Sequence, residues 1–205
     1  MISMELVIRD YRPEDWSQAA AVYRSAIDSL RESKGGQHPD GTINAWLSVA
    51  DAQFRKNLEY SNVTVVSEMN GKIVGLGAIA YRLKHRLIGS AYSSNHYVHA
   101  DFQHGKGGVS VGSAIRKATI EKARFMGLRK LYGYSTAEAI AFHKKAGAVF
   151  YPQFDAYRDD MKAKVHYYEI ELRPSVLNRI PIEPLLSELS PFARLRAVLG
   201  RLIGI

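Results

Sequence analysis

"VHADFQHGKGGVSVGSAIRKA", residues 98–118, is the stretch that decides how this chain is read. Gly105, Gly107, Gly108 and Gly112 fall within eight residues, Lys106 stands among them, and an apolar repeat of helical spacing follows. A glycine cluster that leads into a helix N-terminus brings several backbone N–H groups close to an anion, and the helix dipole favours the negative charge. The same cluster can also be a plain flexible turn, so its surroundings have to decide.

Downstream, Ile115, Ala118, Thr119, Ala123 and Met126 mark a helix ended by Gly127. "KLYGY" predicts a strand, "TAEAIAFHKKAG" a helix closing at Gly147, and "VFYPQFDAY" and "VHYYEIEL" two late strands. Upstream, Asn70-Gly71 between two β-rich runs predicts a hairpin, and a further strand is expected over residues 92–99. "ELVIRDY" alternates as a strand with Leu6 and Ile8 on one face. Pro13 then opens a helix carrying Trp16, Ala19, Tyr23, Ala26, Ile27 and Leu30. Ile43, Trp46, Leu47, Ala50, Phe54 and Leu58 mark a second. The order β, α, α, β, β, β, loop, α, β, α, β, β is that of a mixed α/β domain over residues 1–172. Residues 173–205 form a tail punctuated by Pro174, Pro181, Pro184 and Pro191. Within it Leu185, Leu186, Leu189, Phe192, Leu195, Leu199, Leu202 and Ile203 make an apolar stripe, with Arg194, Arg196 and Arg201 off it. This basic amphipathic helix is expected to dock on protein, either its own domain or a second copy in a homodimer. An anionic membrane surface is the secondary expectation.

Composition narrows the chemistry. With no cysteine, thiol catalysis, disulfides and thiolate metal sites are excluded. The 28 Lys and Arg against 20 Asp and Glu, a net charge of +8, suit an anionic partner or a solvated basic surface. The first residues carry acids where a signal peptide needs an apolar run, and no stretch approaches the roughly 18 apolar residues of a membrane span. A soluble cytoplasmic protein is expected.

Two motifs in this order resemble the GCN5-related N-acyltransferases, the GNAT superfamily. Val98 to Gln103 match the approach to that family's cofactor loop, with Ala100 where proline is frequent. Gly105-Lys106-Gly107 and Val111-Gly112-Ser113-Ala114 resemble the two halves of its "GKG-x-GSA" run. After the next strand, Thr136, Ala139, His143, Lys145, Gly147 and Ala148 keep the register of Asn-x-x-Ala-x-x-x-Tyr-x-Lys-x-Gly-Phe, with Asn, Tyr and Phe replaced. The resemblance covers roughly residues 5–172. It implies a mostly antiparallel central sheet flanked by helices, and transfer of an acyl group from acetyl-CoA or another acyl-CoA to a small-molecule or peptide amine. It also implies that Val98, Gln103, His104, Gly105, Lys106, Gly107, Gly108, Gly112, Ser113 and Thr136 hold the cofactor. About four extra residues, His104 and Gly108-Val109-Ser110 in effect, separate Gln103 from Gly112. They are expected to bulge outward as a wider phosphate loop, because Gly107-Gly108 is poor helix material.

Acyl transfer to an amine needs a donor for the carbonyl oxygen, an acceptor for the amine proton and a proton for the leaving thiolate. The resemblance assigns the first to a strand N–H near Val98. It assigns the third to the motif tyrosine, which is His143 here. An imidazolium at that place would lose activity as pH rises through its pKa. His96 and His99, expected on opposite faces of one strand, are further candidates for proton relay, or hydrogen-bonded structural histidines. No histidine and carboxylate spacing suggests a metal site. Ser135-x-x-Glu138 reads as a capping box. Arg116, Lys117, Lys122, Arg124, Arg129 and Lys130 are read as a solvated face that could meet outer phosphates. Acyl carrier protein as donor and a non-catalytic acyl-CoA-binding regulator working through the tail stay open as alternatives. Nucleic acid is not expected as a partner, since no aromatic stacking motif accompanies the basic residues.

Overall fold

The computed structural model describes residues 5–33, 50–82, 85, 88–108, 110–158, 163–174 and 181–182. In chain order these form β1 (Leu6–Asp10), α1 (Trp16–Ser33), α2 (Ala50–Tyr60), β2 (Val63–Met69), β3 (Lys72–Ala80), β4 (Ser90–Val98) and α3 (Val111–Phe125). There follow β5 (Lys130–Ser135), α4 (Ile140–Lys145), β6 (Ala148–Phe150), β7 (Ala156–Arg158) and β8 (Ala163–Glu171). The strands make one sheet in the order β1-β2-β3-β4-β5-β8-β6, with β7 also paired to β8. Every pairing is antiparallel except β4 with β5, which is parallel and crossed by α3. The mostly antiparallel, helix-flanked sheet is the expected one.

The hairpin forms where Asn70-Gly71 places it. Both residues have positive φ, 51° and 75°, as a type I′ turn requires, and Met69 faces Lys72 across it. Alternation along β2 then sends neighbouring side chains to opposite faces. Val66 packs with Ala19, Tyr23 and Phe54 of α1 and α2. Val65 packs with Val111 and Ile115 of α3, beside Leu6 and Ile8. The sheet is thus covered by α1 and α2 on one face and α3 on the other. Gly75 and Gly77 of β3 let α3 come close: a Cβ at either would lie 2.5 Å from an Ile115 side-chain carbon. Gly127, at φ 77°, ends α3 as expected.

Two local expectations fail. The first late strand is split, because Pro152 opens a 3-10 turn (Pro152–Phe154) that separates β6 from β7. The capping box does not form: Ser135 belongs to β5 and its hydroxyl donates to the Thr136 carbonyl, while Thr136 takes the N-cap place without a side-chain bond. The apolar stripe of the tail, Leu185 to Ile203, and Ile43 to Leu47 of the second predicted helix lie outside the described residues. Ile182, inside the segment read as tail, is fully buried with Tyr132 and Tyr167, and its N–H donates to Glu169. The chain just beyond residue 172 therefore contributes to the domain core.

Candidate functional site

The site is built around a gap in the sheet. β4 pairs with β5 only through Ser90, Ala91 and Tyr92, and beyond them the two strands part. On its other edge β4 carries a bulge: the register steps from Leu76–Tyr97 to Ala78–Ser94, so Asn95 and His96 oppose the single Gly77. Asn95 takes φ 50° to make it. The His99 N–H donates to the Val74 carbonyl at 2.9 Å. Val98 and Gly75 are therefore a non-hydrogen-bonded pair, and the Val98 N–H and C=O point away from β3, toward the gap. Gln103 Nε2 donates to that carbonyl at 2.9 Å, while Gln103 Oε1 accepts from Ser29 of α1.

The glycine-rich segment closes the wide end of the gap. Residues Ala100–Gly108, including Gln103, Lys106, Gly107 and Gly108, wind as 3-10 turns, with His104 and Gly105 at positive φ of 55° and 76°. The α-helix begins only at Val111. His104 and Gly108, two of the extra residues, thus lie in turns ahead of α3, and the helix is not lengthened backwards. Gly112 sits between Val98 and Phe142, where a Cβ would lie 3.5 Å from each side chain. Ser113 is exposed and accepts from Ser110 Oγ at 2.8 Å. Thr136 is half-buried where β5 ends.

The three histidines do different things. His96 points to the α3 face, part-buried, and its Nε2 donates to the Gly112 carbonyl at 3.1 Å. Burial, with Arg116 and His143 nearby, pushes its pKa well below the usual histidine value, so it is neutral and ties β4 to the start of α3. His99 lies past the end of β4, part-exposed, with Nδ1 3.6 Å from Asp101 Oδ2. The expected arrangement of His96 and His99 on two faces of one strand is replaced by this one, because the bulge and the strand end intervene. His143 is buried on α4 and stacks on Tyr168 with ring centroids 4.3 Å apart. Its Nδ1 lies 2.9 Å from Arg116 Nη2. A guanidinium only donates, so Nδ1 accepts and the imidazole proton sits on Nε2. Burial first, and the Arg116 charge second, lower the His143 pKa to about 3. At neutral pH it is an uncharged N–H donor and not an imidazolium.

Arg116 departs furthest from the solvated face that the sequence predicts for it. It is 2% exposed, and its Nη1 donates to Ser93 Oγ at 2.8 Å. The signal was present in the spacing: Gly112, Ile115, Arg116, Thr119 and Ala123 form one helical stripe, and Ile115, Thr119 and Ala123 are all buried. Lys130 is likewise buried, 2.6 Å from Glu169. Sequence reading also missed an Asp155–His166 pair, with His166 Nδ1 3.0 Å from Asp155 Oδ2 and His166 opposite Ser135 in the sheet. Its partners come together only through the β6–β7 break. Among the described residues no group of three His, Asp or Glu side chains is placed to hold a metal, and no helix is long and apolar enough to cross a membrane.

These features suit a coenzyme A thioester on three counts. The gap leaves a strand edge open, the Val98 N–H is directed into it, and turns with left-handed residues lead to a helix N-terminus for the pyrophosphate. No protein-family model and no curated protein sequence matches the chain. Solved structures do. The GCN5-related N-acetyltransferase (Aminotransferase, Class-II) from Rhodopseudomonas palustris is similar at TM-score 0.64 and 22% identity, over 84% of this chain and 99% of that one. The PaiA N-acetyltransferase from Thermoplasma acidophilum, in complex with coenzyme A, gives 0.59 and 13% over 82% and 99%. The ribosomal-protein-S18-alanine N-acetyltransferase from Escherichia coli gives 0.59 and 16% over 83% and 96%. By sheet order, by the parted β4 and β5 and by this likeness, the chain has the fold of the GCN5-related N-acetyltransferases.

Proposed function

We propose that the protein is an acyl-CoA-dependent N-acyltransferase of the cytoplasm, moving an acyl group from a coenzyme A thioester to an amine on a small molecule or peptide. The observation that carries this is the Val98 N–H directed into the gap between β4 and β5, at the end where the glycine-rich turns lead into α3. The glycine-rich turns and the first turn of α3 bind the pyrophosphate, and Gly112 leaves room for the pantetheine arm beside Val98 and Phe142. The amine nitrogen attacks the thioester carbonyl carbon; the C–N bond forms and the C–S bond breaks. The Val98 N–H faces the oxygen that gains charge. His143, fixed as its Nε2–H tautomer by Arg116, donates a hydrogen bond to the sulfur as negative charge develops there. One proton leaves the amine, and the departing thiolate, held by the His143 N–H, takes one from water. For the first, His166 offers an Nε2 lone pair, because its Nδ1–H is directed to Asp155.

The test is thiol release from acetyl-CoA across a panel of primary amines and N-terminal peptides. Amine-dependent release with a matching acylated product supports the reading. Tight coenzyme A binding with no amine raising the rate above hydrolysis would instead point to a non-catalytic binder.

A further inference from the structure

Among the described residues, buried charges come in opposite pairs with one exception. Asp15 meets Arg9 at 2.7 Å, and Glu169 meets Lys130 at 2.6 Å. Arg116, equally buried, meets only neutral groups. Its Nη1 donates to Ser93 Oγ, its Nη2 to His143 Nδ1 and, at 3.5 Å, to Tyr168 Oη, and its Nε has no acceptor. The guanidinium lies over the rings of Phe142 and Tyr168, 5.6 and 5.9 Å from their centroids. A buried guanidinium without a counter-charge, with one donor unmet, is costly unless something supplies the anion. The planar fork with a spare N–H suits the two oxygens of a carboxylate.

We propose that Arg116 receives a carboxylate at the end of the donor's acyl group, so that the substrate class is the coenzyme A monothioester of a dicarboxylic acid. This rests on the acyl-CoA reading above. Placement assigns the carboxylate to the donor and not to the amine. Ser93 and His143 both bond Arg116 of α3, and Gly112 begins the same helix beside Val98, whereas α1 and α2 cover the other face. Ser93 directly follows Tyr92, the last residue of β4 paired to β5, so the cation stands at the narrow end of the gap, opposite the glycine-rich turns. A chain entering past the turns along β4 reaches Arg116 with its far end.

The experiment is calorimetric binding to the full chain of coenzyme A and three matched pairs: malonyl- with butyryl-CoA, succinyl- with pentanoyl-CoA, and glutaryl- with hexanoyl-CoA. At least one carboxylate-bearing member should bind about tenfold or more tightly than its uncharged partner. In Arg116→Met, which removes the charge at similar volume and whose fold is checked by its urea midpoint, that preference should vanish while coenzyme A affinity stays. No preference at any length overturns the inference, as does a preference that survives in Arg116→Met. So does a carboxylate requirement found on the amine and not on the donor. Failure of coenzyme A itself to bind would overturn the acyl-CoA reading, and this inference with it; coenzyme A binding without a preference would overturn this inference alone.

Discussion

Acidification should destabilise the fold well above the pH at which carboxylates are neutralised, because the histidines beside Arg116 are held uncharged. His143 has a folded pKa of about 3 against the ordinary 6.5 of an unfolded histidine. The unfolded chain therefore binds a proton that the folded one refuses, and stability present above pH 6.5 is lost as pH falls toward 3. From pH 7 to pH 5 this amounts to about 2 kcal/mol at His143, at 1.36 kcal/mol per pKa unit. His96, also pushed well below its ordinary value by burial, acts in the same direction. The His143 share alone is a sizeable part of the roughly 5–15 kcal/mol typical of a domain. In urea titrations, with a slope of about 2 kcal/mol per molar, the His143 term should lower the midpoint by about 1 M. Carboxylates titrate alike in wild type and variants, so the informative quantity is the difference between them. His143→Gln should lose about 2 kcal/mol less than wild type between pH 7 and pH 5. If His143→Gln loses as much as wild type, His143 is not the neutral partner of Arg116, and the tautomer inferred for it fails.

His143→Ala should lower turnover with saturating donor by about tenfold, the loss of one hydrogen bond to the sulfur as its charge develops. Wild type should show no loss of turnover attributable to an imidazolium between pH 5 and 8, and His143→Tyr should keep a profile of the same shape; a rate that follows a group titrating near 6.5 would refute the neutral donor. Gly112→Val should fold but bind coenzyme A at least about tenfold more weakly, since its methyls enter the space between Val98 and Phe142; unchanged affinity by calorimetry would remove Gly112 from the cofactor path. Gly77→Ala should destabilise the fold by about 1–3 kcal/mol, because its Cβ would lie 2.5 Å from Ile115; an unchanged urea midpoint would show that α3 can shift at no cost.

Local chemistry made the frame legible. Asn70-Gly71 demands left-handed backbone, Gly127 stops α3, and the period-two and helical runs on either side fix which elements form. The parts that escaped depend on distant neighbours. "SAYSSNHYV" reads as an unbroken strand, and nothing in it marks Asn95 as the bulge, because Gly77 lies across the sheet on β3. The parting of β4 from β5 is a property of two strands with α3 between them. Arg116 and Lys130 carry charge, which argues for the surface, and their burial follows from Ser93, His143, Tyr168 and Glu169, which come from other elements. His143 was legible as a site position through its spacing, while its tautomer became so only beside Arg116.

The central claim is that a coenzyme A thioester lies in the gap along β4. Backbone amide spectra of the labelled protein, titrated with acetyl-CoA, test it most directly. Saturable shifts should be largest at Val98, at Gly105 to Gly108 and at Val111 to Ser113, with α1 and β1 nearly unmoved. Absence of binding, or shifts gathered on α1 and α2 with Val98 unchanged, would contradict the account.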